Sequence, residues 1–298
     1  MLLVVGSLVI DEVFLGEGRR RVQAGGAALY SSITAKKMNL EVGVVSKVGY
    51  DYPEEYLNEM RTQGIDLSRV KILQDSPTTR FVLRYRGEKR RFYLKGRCKP
   101  IEPQDLGDLE AEAVYITPVL DEVPRETVLE ISRRCETLSL DPQGYVREGK
   151  GEEAIEPRPW FDAEVLSRLK IFKSSMEELH WIAGSGDPWT AMERIRSCGP
   201  EIVMVTWGRK GALMSAEEGR YHIPAFPTTK AIDPTGAGDA FMGGFLSQYL
   251  RGRDPLWSAS VGAAVASCIV ETLGCRLQAS VREIHERANW VWERVKEM

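Results

Sequence analysis

The chain has 298 residues, of which 43% are hydrophobic and 28% charged, and its net charge is −3. That balance suits a soluble globular fold and argues against a disordered chain; the slight acidity gives no electrostatic case for nucleic acid or an anionic membrane as partner. No apolar run approaches the roughly 20 residues that cross a bilayer.

Five scattered cysteines, odd in number and without a C-x-x-C spacing, point to reduced thiols in a cytoplasm rather than to disulfides or a zinc site. The three histidines, His180, His222 and His285, are isolated in sequence. If the chain is an enzyme, a carboxylate is therefore a better candidate base than an imidazole.

The opening "LLVVGSLVI" reads as a first strand; it lacks the basic leader and small-residue cleavage site of a signal peptide. "AALYSSITAKKM" reads as a helix closed by Asn39, "EVGVVSKVG" as a strand, and "YPEEYLNEMRTQG" as a helix stopped at Gly64. Thr78 to Cys98 breaks the rhythm: two β-rich arms around Gly87 predict an antiparallel hairpin with a basic tip, "RGEKRR". Together with "VIDEVFLGEGRRRVQAGG", it predicts a small projecting sheet whose lid segments cover about 11–24 and 78–98. Its tip is either a solvated turn or a flap over a site, and its exposed edge suggests pairing with a second copy.

"EAVYITPV", "ETLSLDPQG", "LKIFKSS" and "EIVMVTWG" follow as strands, with "PRETVLEISRRC" and "PWTAMERIRSCG" as helices among them and Gly149 to Trp160 as a loop. This alternation predicts an α/β domain spanning residues 1–298, with a mostly parallel central sheet covered on both faces. Ligands in such sheets bind beyond the carboxyl ends of the strands.

The stretch "AIDPTGAGDAFMGGFL" sets two glycines and a carboxylate directly ahead of an apolar helix. Gly236 and Gly238 let the backbone approach a ligand closely, and the first N–H groups of the helix are unpaired and carry partial positive charge. Together they form an anion hole suited to phosphate. Asp239 is then either a helix-capping acid or a positioned base. The spacing matches neither G-x-G-x-x-G nor G-x-x-x-x-G-K-[ST], which removes dinucleotide and Walker-loop readings.

"DPTGAGDAF" resembles the C-terminal signature of the ribokinase-like (PfkB) carbohydrate kinases. "GGAALYSSITAKKMNLEVGVVSKVGYD" is similar to the N-terminal signature, and "VTWGRKGAL" to the strand-turn beside the nucleotide. The resemblance implies a ribokinase-like three-layer sandwich with a small β-sheet lid, and transfer of phosphate from ATP, with Mg²⁺, to a hydroxyl. It implies Asp239 as the base and Gly236, Ala237 and Gly238 as the anion hole. Thr206, Gly208, Gly211 and Thr235 would lie along the nucleotide, and Asp11, Gly25 and Gly26 would face the substrate. The family's metal-organising Asn-x-x-Glu appears here as Ser175-Met176-Glu177-Glu178, so the implied metal residue is Glu178 alone.

"SLDPQGYVRE" is the substrate clue: Asp141 ends a strand, with Gln143 and Arg147 close behind. The form "D-x-Q-G-[aromatic]-x-R", with "RRFYLKGRCKPI" and "ITPVLDEVP", is similar to the subgroup that contains myo-inositol kinases. The expectation is a cytoplasmic kinase of a small polyol or sugar, myo-inositol first. Asp11, Asp141, Gln143 and Arg147 would be its hydroxyl-binding groups. Other sugars, a ketodeoxygluconate-like sugar acid and nucleosides are the rival acceptors. A non-catalytic nucleotide-binding regulator and a purely structural α/β protein are the rivals from other classes.

Overall fold

The first strand, β1 (Leu2–Gly6), is apolar and buried at every position. Alternating side chains therefore serve two cores, with Leu2 and Val4 on one face and Leu3 and Val5 on the other. The computed structural model describes residues 1–15, 19–86, 89–149, 154–184 and 186–298, with backbone alone at 15, 19, 84–86 and 89–91.

After β1 come β2 (Val9–Leu15), β3 (Arg19–Gly25), α1 (Ala27–Lys37), β4 (Val42–Gly49), α2 (Glu54–Thr62) and β5 (Asp66–Leu73). The hairpin β6 (Arg80–Arg86) and β7 (Lys89–Gly96) leads to β8 (Ala111–Thr117), α3 (Arg125–Ile131) and β9 (Cys135–Leu140). Next are β10 (Arg147–Glu148), β11 (Glu156–Pro157), α4 (Ala163–Leu166), β12 (Ile171–Ser175), α5 (Met176–Ala183) and α6 (Pro188–Arg196). The chain closes with β13 (Ile202–Thr206), β14 (Ala212–Ala216), β15 (Gly219–Ile223), α7 (Ala237–Tyr249), α8 (Pro255–Ile269), α9 (Val281–Trp292) and β16 (Lys296–Glu297).

The central sheet has the order β16-β15-β14-β13-β12-β9-β8-β1-β4-β5. The strands from β13 to β5 pair in parallel, while β14, β15 and β16 add an antiparallel edge. Leu29 of α1, Leu57 of α2, Phe241 of α7, Ala259 of α8 and Val291 of α9 pack on one face. Val128 of α3, Val165 of α4, Leu179 of α5 and Met192 of α6 pack on the other. This is the layered α/β architecture that the alternation predicts.

Winding reverses beside β1, which pairs with β4 on one side and β8 on the other, and such a switch point opens a crevice at the strand ends. Buried Glu122 ties the two lips of that crevice. It accepts from the N–H groups of Ser7 (3.0 Å), Val119 (2.9 Å) and Leu120 (2.8 Å).

A second sheet, β3-β2-β6-β7, covers this edge. β2 and β6 run parallel while the outer pairs are antiparallel, so the expected small sheet is mixed. Its inner residues Val13, Phe81, Leu83 and Leu94 pack against Ala27, Val119 and Leu120. Glu12 on β2, only 2% exposed, binds one cation from each of the other three strands: Arg20 (3.0 Å), Arg80 (3.1 Å) and Lys95 (2.9 Å). Arg80 also reaches Asp51, just past β4 of the central sheet, at 3.1 Å.

Three boundaries differ from the sequence reading. "LLVVGSLVI" is two strands in two sheets, because the chain turns at Ser7 and Leu8 to leave the central sheet. The helix read through Cys135 ends at Ile131, and Cys135 begins β9. The stretch from Gly149 to Trp160 carries β11, paired with β10. The central residues of the basic tip lie outside the described residues. The stops at Asn39 and Gly64 hold, with φ of 61° and 78°.

Burial alone would raise the Glu12 carboxyl, but hydrogen bonds from Lys95, Arg80 and Arg20 hold it below the ordinary glutamate range. Glu12→Gln should cost about 1–3 kcal/mol in urea unfolding near neutral pH. A lowered folded pKa stabilises above the unfolded value and is lost as pH falls through the folded one, so the variant's deficit should shrink below about pH 4.

Candidate active site

The first turn of α7 is shaped by glycine. Gly236 has φ of 75°, and a Cβ there would stand 2.2 Å from the Tyr30 ring. Alanine would thus be strained in backbone and would collide with a buried aromatic. The N–H of Ala237 donates to the Pro234 carbonyl at 3.2 Å, whereas those of Gly236, Gly238 and Asp239 make no backbone hydrogen bond among the described residues. The expected anion hole therefore loses Ala237 as a donor, because the tight turn that starts the helix uses its N–H. Thr235 braces that turn by donating its N–H to Asp233 at 2.9 Å.

Beneath this turn lies a buried ion pair. Asp141, at the end of β9, is 0% exposed, and Lys173 of β12 is 4% exposed; their charged atoms are 2.5 Å apart. A Cβ built on Gly238 would stand 2.8 Å from the Lys173 ammonium, so that ammonium packs directly against the helix start. The other oxygen of Asp141 accepts from the Gln143 N–H at 3.1 Å, which holds the turn Pro142–Gly144. The Gln143 side chain then donates to Asp239 Oδ1 at 2.8 Å. Five residues from three separate stretches thus form one connected cluster.

Electrostatics follow from this burial. Burial pushes the Asp239 carboxyl above the ordinary aspartate range, opposed by the charge of Lys173, the Gln143 hydrogen bond and Arg147. Asp141 is raised by the same cause, with Lys173 again opposing it. Burial alone would depress Lys173, but Asp141, Glu178 and Asp239 overbalance it and raise its pKa. The ammonium is therefore held charged.

Asp11 on β2 is 5% exposed, and a Cβ on Gly25 would overlap its carboxylate at 2.0 Å. Gly26, with φ of 102°, passes equally close to the Ser7 carbonyl. The two glycines thus let β3 run tightly past the Asp11 carboxylate before α1 begins. Burial, together with Cys275, Asp11, Asp233 and Asp239, keeps the Tyr30 hydroxyl protonated.

Glu178 and Ser175 form a capping box at the start of α5: Glu178 Oε2 accepts from the Ser175 N–H at 2.8 Å and Ser175 Oγ accepts from the Glu178 N–H at 3.2 Å. Glu178 Oε1 faces the Arg147 guanidinium at 3.5 Å. Arg147 also donates to the Val119 carbonyl at 3.4 Å and lies 5.9 Å from the Phe92 ring centre of β7. Thr206 pairs in register with Ser175, so the turn after β13 sits beside this capped helix. Gly208 and Gly211 shape that turn with φ of 52° and 92°, and the Lys210 ammonium covers Trp207 at 4.0 Å.

Asp141, Gln143, Arg147, Glu178 and Asp239 are thus drawn together. Asp11, Gly25 and Gly26 belong to the small sheet and its exit into α1, and Thr206 ends the neighbouring strand β13, with Gly208 and Gly211 in the turn after it. Sequence reasoning missed Lys173, Tyr30 and the cap role of Ser175. The lysine that follows Ile171 and Phe172 within the strand "IFKSS" is the signal for the first, since lysine is almost never fully buried unless paired.

The model of the pfkB family carbohydrate kinases matches residues 1–282. The chain belongs to the pfkB family of carbohydrate kinases. It is 30% identical to the cytidine kinase of Thermococcus kodakarensis, over 85% of this chain and 89% of that one. It is 31% identical to an inositol 3-kinase of Oryza sativa subsp. japonica, over 96% of this chain and 73% of that one. A solved pyrophosphate-dependent kinase of the ribokinase family, 25% identical, superposes with a TM-score of 0.83 over 96% and 100% of the two chains. This carbohydrate kinase therefore has the ribokinase-like fold, and it is a phosphotransferase with a hydroxyl acceptor. Among its described residues no helix is long and apolar enough to cross a membrane.

Removing the cation from the buried pair leaves an uncompensated charge. Lys173→Met should cost about 3–5 kcal/mol, read from chemical denaturation, and adding Asp141→Asn should recover most of that loss.

Proposed function

We propose that the chain transfers the terminal phosphoryl group of ATP to a hydroxyl of a small polyol, with myo-inositol as the acceptor. The observation that carries this reading is the position of Asp239. Its carboxylate stands in the first turn of a helix where the N–H groups of Gly238 and Asp239 make no backbone hydrogen bond among the described residues, next to a glycine packed on a buried ammonium and held on one oxygen by Gln143. Such a site combines a base with charge stabilisation, the two contributions that phosphoryl transfer asks of a protein.

In this reading the acceptor oxygen attacks the terminal phosphorus while its proton passes to Asp239. The bond from that phosphorus to the bridging oxygen breaks, and ADP leaves. The N–H groups of Gly236 and Gly238, with Lys173 beneath, receive the charge on the transferring group. Thr206, Gly208, Gly211 and Thr235 border the donor. Glu178, whose hard Oε1 is 14% exposed and faces Arg147 at 3.5 Å, is the residue that would hold a Mg²⁺ ion, and such an ion would supply neutralisation of the donor's phosphate charge. The small sheet serves as a lid over the acceptor, and residues 1–298 work as one unit.

Asp11 and Arg147 are the kind of charged, directional groups that recognise a ring of hydroxyls, whereas Asp141, expected with them, is fully buried and committed to Lys173 and the Gln143 N–H. The inositol 3-kinases of rice and maize, 31% and 29% identical, support that acceptor. The cytidine kinase, at 30%, supports a nucleoside as the second reading. The pyrophosphate-dependent neighbour makes pyrophosphate the donor to compare with ATP.

Purified protein with Mg²⁺ and either ATP or pyrophosphate should be assayed with myo-inositol, cytidine, 2-keto-3-deoxygluconate and ribose. Phosphorylation of myo-inositol from ATP should lead by at least about tenfold in kcat/KM. A lead for cytidine would transfer the proposal to nucleosides. ATP binding without any transfer would favour a regulator. Asp239→Asn should lower kcat by about 10²–10⁴-fold.

A further inference from the structure

Gln143 was expected among the substrate-binding residues, yet its side-chain amide is already engaged. Nε2 donates to Asp239 Oδ1 over 2.8 Å. An ionised carboxylate only accepts, so the amide must present its NH₂ group to Asp239.

Gln143 is itself held from below. Its N–H donates to Asp141 Oδ1 at 3.1 Å, and Asp141 Oδ2 is locked to Lys173 at 2.5 Å. The following Gly144 lies so close to the loop after β8 that a Cβ would stand 2.7 Å from the Pro118 backbone. Lys173 closes the ring by packing under Gly238, next to Asp239. The path Lys173–Asp141–Gln143–Asp239 therefore joins β12, the turn after β9 and the start of α7 into one rigid loop of contacts.

A carboxylate at the start of a helix has two equivalent oxygens and a soft terminal torsion. A donor fixed on Oδ1 removes both freedoms. We infer that Gln143 is a positioning residue that acts through Asp239: it holds Oδ1 and leaves Oδ2 as the oxygen that takes the acceptor's proton. This rests on the reading of Asp239 as the base. No contact between Gln143 and the acceptor is part of it.

The test measures kcat and the acceptor KM separately for Gln143→Met, which keeps length and volume without the donor, and for Gln143→Asn, which keeps the amide on a shorter arm. Misplacing a reacting group by about 1 Å costs about 10²-fold. Gln143→Met should therefore lose roughly 10–100-fold in kcat, with the myo-inositol KM changed less than about twofold. Gln143→Asn should recover part of that loss. In an Asp239→Asn background, Gln143→Met should cause no further loss.

A rise of tenfold or more in KM with kcat intact would make Gln143 an acceptor contact and overturn the inference. So would an equal further loss in the Asp239→Asn background. If Asp239→Asn alone turns over at the wild-type rate, the base reading falls and this inference falls with it. That outcome is distinct from the other two, in which Asp239→Asn is impaired.

Discussion

The buried pair of Lys173 and Asp141 is the interaction on which the site depends. Both side chains are almost entirely out of water, which costs several kcal/mol per ion unless geometry and further hydrogen bonds compensate. The compensation visible here is directional. Asp141 spends its second oxygen on the Gln143 N–H, and Lys173 lies against the glycine that precedes Asp239. A hydrophobic pair of equal volume would fill the same space, but it would neither orient Gln143 nor put a positive charge under the first turn of α7. The pair is better understood through what it positions than through the stability it adds.

The small sheet follows a related logic on the opposite side of the crevice. Its four strands converge on the Glu12 carboxylate, and Arg80 carries the connection on to Asp51 of the main body. Its apolar inner face packs on Val119 and Leu120, whose N–H groups are held by Glu122. The same Glu122 holds Ser7, the residue at which the chain leaves the central sheet. Charged groups thus fix both the roof and the rim of the crevice, and aliphatic packing fills the space between them.

Much of this was legible in the sequence because it is written in contiguous residues. The run Thr235-Gly236-Ala237-Gly238-Asp239 states its own geometry: a left-handed glycine, a helix start and an acid in the first turn. Strand–helix alternation gave the layered fold, since each apolar strand needs helices on both faces. What stayed hidden is written between distant residues. Lys173 and Asp141 are 32 positions apart and Gln143 and Asp239 are 96 apart, so no local pattern joins them. The break in "LLVVGSLVI" was hidden for another reason: hydrophobicity runs straight through the turn at Ser7 and Leu8, both of them buried. The resemblance implied Ala237 as a donor beside Gly236 and Gly238, and a motif match does not reveal that its N–H closes a turn onto Pro234.

The central claim is that Asp239, held on one oxygen by Gln143, receives the acceptor's proton on the other. A crystal structure with ADP, aluminium fluoride, Mg²⁺ and myo-inositol tests it most directly. The account predicts an inositol oxygen within about 2.6–3.2 Å of Asp239 Oδ2 and in line with the metal fluoride, with the Gln143 amide still on Oδ1. An in-line inositol oxygen held by Gln143 or Asp141, with Asp239 turned away, would contradict it.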